Sequence, residues 1–134
     1  ILLENYSKTL HIEALTMLDM VKKFIIPSVV SNQSDLAETA IRKKSFSGVT
    51  SVLEESLLSK LSKLSDCLYR KMEELEGAVL QMKDYGHSLD LAKFCRETIF
   101  VKMQTLRGVV DELEAMTGTK YWPLPTYEEI LYSV

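Results

Sequence analysis

Glycine and proline are scarce in this chain, at five and three of 134 residues. A protein of many turns and hairpins needs more of both, so long helices are the first expectation. Cysteine is scarcer still. Cys67 and Cys95 sit beside Leu68 and Phe94 and read as small core thiols, suited to a reducing compartment; the sequence leaves a disulfide between them open. The formal net charge of −3 gives no basic field of the kind a nucleic-acid binder presents. The one basic run, Arg42-Lys43-Lys44, is short and reads as a solvated helix end rather than a phosphate clamp. No stretch approaches the roughly 20 apolar residues of a membrane span, and the apolar start has neither the basic flank nor the cleavage site of a signal peptide.

Hydrophobic residues make up 46 % and charged residues 26 %, the balance of an ordinary globular domain. One domain of this size can bury roughly two thirds of the surface its unfolded chain exposes. The chain opens on Ile1-Leu2-Leu3, with no Met and no capping residue before an apolar periodic run. That start suggests a segment of a longer protein.

Helical periodicity runs through most of the sequence. Leu3, Tyr6, Leu10, Ala14, Met17, Val21 and Phe24 define a first helix from about residue 2 to 30, which Pro27 is expected to kink or end. Ser31-Asn32-Gln33-Ser34 reads as a loop, and Ser34 as the cap of a short crossover helix over about 35–44. After a break containing Gly48, the strongest stripe is Leu53, Leu57, Leu61, Leu64, Leu68, Met72, Leu75, Val79 and Met82. It predicts a helix over about 52–85, with Ser51 as its cap and Glu54 as the capping-box partner. A tight turn at Gly86-His87-Ser88 leads to another helix over about 89–117, with Ala92, Cys95, Ile99, Met103, Leu106, Val110 and Leu113 on its buried face. Gly86 and Gly118 stand where helix-ending glycines would. Two long helices joined by so short a link must pack antiparallel.

The expected architecture is therefore one all-α domain over residues 1–134: an antiparallel bundle of three long helices, a short crossover helix and an extended aromatic C-terminal tail over 121–134. That tail carries the only Trp and three of the six Tyr. Pro123 and Pro125 enforce an extended path through Leu124. Thr126 can cap a last short helix, with Glu128 and Glu129 in its first turn.

No catalytic constellation emerges. His11 and Glu13 are two residues apart and point to different faces of a helix, and His87 falls in a turn. Glu54-Glu55, Glu73-Glu74 and Asp111-Glu112 are adjacent pairs, about 100° apart on a helix, and read as solvated charge. No spacing of His, Cys and acidic residues matches a zinc site, and no Glu-x-x-His motif suits a di-iron bundle. Cys67, next to Asp66 and with no His near, is a poor nucleophile. There is no Gly-rich phosphate loop. The six methionines fall mostly on apolar faces, where they serve as core filler.

The tail Tyr121-Trp122-Pro123-Leu124-Pro125-Thr126-Tyr127, followed by Ile130-Leu131-Tyr132-Ser133-Val134, resembles the terminus of type III glutamine synthetases. Glu13 to Met20 is similar to that family's first C-terminal helix. Leu61 to Tyr69, and Leu106-Arg107 with Asp111 to Glu114, resemble its central and last long helices. Tyr132 stands where the family would carry Phe, and 31–51 has no close counterpart.

The resemblance implies a non-catalytic C-terminal piece of a cytoplasmic enzyme that joins ammonia to glutamate using ATP and divalent Mg or Mn. The sites for nucleotide, glutamate and metal would lie upstream, so no cofactor and no catalytic residue is assigned to this chain. Its expected partners are the catalytic region of the same chain and neighbouring subunits of a homo-oligomer, with no nucleic acid and no membrane. The residues proposed for an interface are Trp122, Pro123, Pro125, Tyr127 and Leu131, against the simpler reading that the tail folds back over the bundle. An independent helical adaptor that captures a partner is the alternative function.

Overall fold

The computed structural model describes residues 2–86 and 88–124. Among them lie three helices and no strand. The first comprises an α-segment Leu2–Met20, a π turn Val21–Ile25 and a second α-segment Ile26–Lys43, without a break between them. The second is Val52–Gln81, ending in a 3-10 turn Met82–Asp84. The third joins Ser88–Phe94, a π turn Cys95–Ile99 and Phe100–Met116. At 1.5 Å per residue the first helix is about 60 Å long.

The continuity of the first helix corrects the expectation at Pro27. The π turn has already moved the hydrogen bonding one residue along: the Ile26 N–H meets the Val21 carbonyl, five residues back. Pro27 then sits at the opening of the next α-segment, where its missing N–H costs least. The predicted loop Ser31-Asn32-Gln33-Ser34 is helical too. Asn32 is buried, and Gln33 Nε2 donates to Ser65 Oγ of the second helix at 2.6 Å. Gln33 thus faces a neighbouring helix, while Ser31 and Ser34 are exposed. The crossover helix of 35–44 is therefore the last part of the first helix, not a separate element.

Three cross-links fix the register of the first two helices: Lys22 pairs with Glu76, Gln33 with Ser65, and Lys43 with Glu54. Moving up one helix moves down the other, as antiparallel packing requires. Lys22, Gln33 and Lys43 recur at intervals of about three turns, which keeps them on one face. The third helix runs parallel to the first. Ser88 Oγ donates to Glu4 at one end (3.4 Å), and beyond the helix the Tyr121 hydroxyl donates to Asp35.

The core follows the periodicity with local shifts. Leu10, Ala14, Leu18, Val21, Ile25 and Val29 are buried on the first helix, whereas Leu3, Tyr6 and Phe24 are exposed. On the second, Leu61, Leu68, Met72 and Leu75 are buried, Leu64 is only half-buried, and Leu53 is exposed. The third helix buries Cys95, Ile99, Met103, Leu106 and Leu113, with Val109 taking the place expected for Val110.

The helix ends also depart from expectation. Only Gly48 among the described glycines takes a left-handed backbone (φ 74°), in the loop between the first two helices. The second helix closes through its 3-10 turn, and the third ends at an extended Thr117. Ser51 Oγ reaches Glu55 rather than capping a backbone N–H, and its carbonyl accepts the Glu55 N–H.

Candidate functional site

Glu54, expected on a solvated face, turns inward. It is buried and pairs with Lys43 at 2.7 Å, tying the first helix's last turn to the second helix's first. The Lys43 ammonium, donating to the carboxylate, holds the Glu54 pKa below its ordinary value, and the backbone N–H of Glu54 adds to the effect. With the folded pKa depressed, the unfolded chain takes up the proton more readily. The pair's contribution is therefore present above the ordinary carboxylate pKa and is lost as pH falls through the folded value. E54Q is expected to lower the melting temperature at neutral pH, with the gap to the unsubstituted chain closing as the pH is lowered through the carboxylate range. A gap that stays constant across that range would show that the charge of Glu54 contributes nothing.

The other candidates stay dispersed. Glu73, Glu74, Asp111 and Glu112 are exposed, and His11 is half-buried on the first helix. His87 lies outside the described residues. Cys67 and Cys95 are free thiols, and burial pushes the Cys95 thiol pKa up, away from the reactive thiolate. Among the described residues no group of three His, Cys, Asp or Glu side chains could hold a metal ion.

An apolar concave feature lies between the first and third helices. The two pack closely where both begin and draw apart along 100–116. The opening is a groove of about 460 Å³. One wall is formed by Ile12, Met17, Val21 and Ile25, so the π turn contributes two side chains to it; the other is formed by Met103 and Val110. Glu13, Arg107, Asp111 and Glu114 also line it.

The aromatic tail meets this groove. After Met116 the chain turns through Gly118 to Trp122, with Tyr121 N–H bonded to the Gly118 carbonyl and Trp122 N–H to that of Thr119. The Trp122 ring is buried in the core, and both Trp122 and Leu124 line the groove. Of the five residues proposed for an interface, Trp122 thus packs on its own domain and Pro123 is exposed. Pro125, Tyr127 and Leu131 lie outside the described residues, as does the expected helix after Thr126. Sequence periodicity could not show the groove, because it depends on how far two parallel helices separate.

The described residues form a three-helix bundle with Trp122 and Leu124 set at the seam between two helices. A family model described as the glutamine synthetase C-terminal domain matches residues 1–44, which covers the first helix. The whole chain is 36 % identical over 135 residues to a glutamine synthetase of Butyrivibrio fibrisolvens. Over 98 % of its length it is 30 % identical to the type-3 glutamine synthetase of Dictyostelium discoideum. A glutamine synthetase of Bacteroides fragilis is 25 % identical over 136 residues. On these matches the chain belongs to the glutamine synthetases, as a C-terminal helical region of the type III kind. It spans about a fifth (19 %) of the length of these relatives. No solved structure matches it.

Proposed function

We propose that this chain is the non-catalytic support domain of a longer enzyme that ligates ammonia to glutamate at the expense of ATP. The observation that carries the reading is the full-length match to about a fifth of each glutamine synthetase relative. On this reading ATP and its divalent metal, which the family implies, are bound by the rest of the longer protein. The domain's work is mechanical: it braces the catalytic region and helps hold neighbouring subunits in a homo-oligomer.

Its surface supports that role. At the tip formed by the first two helices, Ile41, Phe46, Val52 and Leu53 are each about two thirds exposed (65–70 %). Leu2, Leu3, Tyr6 and Leu89 form a second exposed apolar group where the first and third helices begin. Apolar groups of this kind mark surfaces that another protein part covers. No helix among the described residues is long and apolar enough to cross a membrane, and the free thiols suit a reducing compartment. Those thiols support our reading of the enzyme as cytoplasmic. The test is to remove this region from the longer protein and follow assembly size and glutamine formation. Loss of both is expected, and retention of both would overturn the reading.

A further inference from the structure

We propose that Ser45, in the loop between the first two helices, is a phosphorylation site for a serine kinase that reads basic residues ahead of its target, and that the phosphate loosens the end of the first helix. The sequence singles this serine out. Arg42-Lys43-Lys44 immediately precede it and Phe46 follows, and no other Ser or Thr in the chain stands after three consecutive basic residues. A kinase with an acidic cleft selects its substrates by such a charge pattern. The structure also presents the serine. Residues 44–50 are all exposed, and the Phe46 ring, 66 % exposed, is placed to enter an apolar pocket beside the reacting hydroxyl. Drawing Arg42 and Lys43 into an extended path unwinds the last turn of the helix, and terminal turns open at little cost. In the transfer, Ser45 Oγ bonds to the γ-phosphorus of ATP and the bond from that phosphorus to the β-phosphate oxygen breaks. ADP leaves, and the hydroxyl proton passes to the kinase's catalytic Asp.

The consequence follows from the position. The Ser45 hydroxyl now donates to the Arg42 carbonyl at 2.8 Å, in the last turn of the first helix. A phosphate dianion cannot donate, and it would stand at the negative end of the helix dipole. It draws instead on the cations beside it. Arg42 is engaged with Glu38, and Lys43 is the residue that holds the buried Glu54 at 2.7 Å. What Lys43 gives to the phosphate is lost to Glu54, so the clasp between the first helix's last turn and the second helix's first is weakened. The inference stands apart from the support role, since the kinase reaches this tip before another protein part covers it.

The folded chain is incubated with the catalytic subunit of cyclic-AMP-dependent protein kinase and MgATP, and the phosphate is located by peptide mass spectrometry. It is expected on Ser45, at an unchanged rate in S47A and at a rate lower by about ten-fold or more in R42Q. The phosphorylated chain is then expected to melt about 3 °C lower or more. That drop should shrink in E54Q, which has no ion pair left to lose. Absence of phosphate from Ser45, its appearance there only after thermal unfolding, or an equal rate in R42Q would overturn the site. A melting temperature that stays unchanged, or that falls as far in E54Q, would overturn the link through Lys43.

Discussion

L106A is expected to destabilise the chain by about 2–5 kcal/mol, the usual cost of truncating a fully buried leucine. Leu106 is completely buried within the shared core, midway along the third helix's final α-segment. Its loss removes transfer energy and leaves a cavity that stiff neighbouring helices cannot close. Denaturant melts of the chain and the variant measure this directly, as a lower midpoint at unchanged slope. Leu64 serves as an internal contrast. It only packs against the core from a half-buried position, so L64A should cost clearly less than L106A. A loss below about 0.5 kcal/mol for L106A, the size of an ordinary surface substitution, would mean that the third helix is turned the wrong way.

W122A is the second large effect, expected to cost about 3–5 kcal/mol, the range for a buried large aromatic replaced by alanine. Trp122 is only 9 % exposed although it lies beyond the third helix. Two constraints hold it in place. Tyr121 is fastened to Asp35, and Pro123 limits the backbone just after the ring. If the ring belongs to the domain's own core, the cost appears in the isolated chain. If the isolated chain is indifferent and only the longer protein suffers, the ring is instead covered by another part of the enzyme.

Much of the fold was legible because it rests on local periodicity. The third helix was read almost residue for residue: Ala92, Cys95, Ile99, Met103, Leu106 and Leu113 are buried as the spacing predicts, and only Val110 gives way to Val109. The first helix was misread at Pro27 because a π turn is invisible to a 3.6-residue pattern. Beyond that turn the buried stripe continues at Ile25 and Val29, and Phe24 is exposed. Ser31 to Ser34 carried a loop's composition, but Gln33 finds its partner on a helix thirty-two residues away. Glu54 looked like one more surface carboxylate for the same reason: Lys43 approaches it only once the hairpin has formed. The Trp-Pro tail was visible as unusual and as a family feature, but the groove beside it depended on the separation of two helices.

The support role is tested most directly by sedimentation of the longer enzyme shortened by these 134 residues, before and after this chain is added back. If the region braces the catalytic part and its neighbours, the shortened protein sediments as smaller assemblies with little glutamine formation, and the added chain binds and restores both. A shortened protein that keeps its full assembly and its full activity would contradict the role.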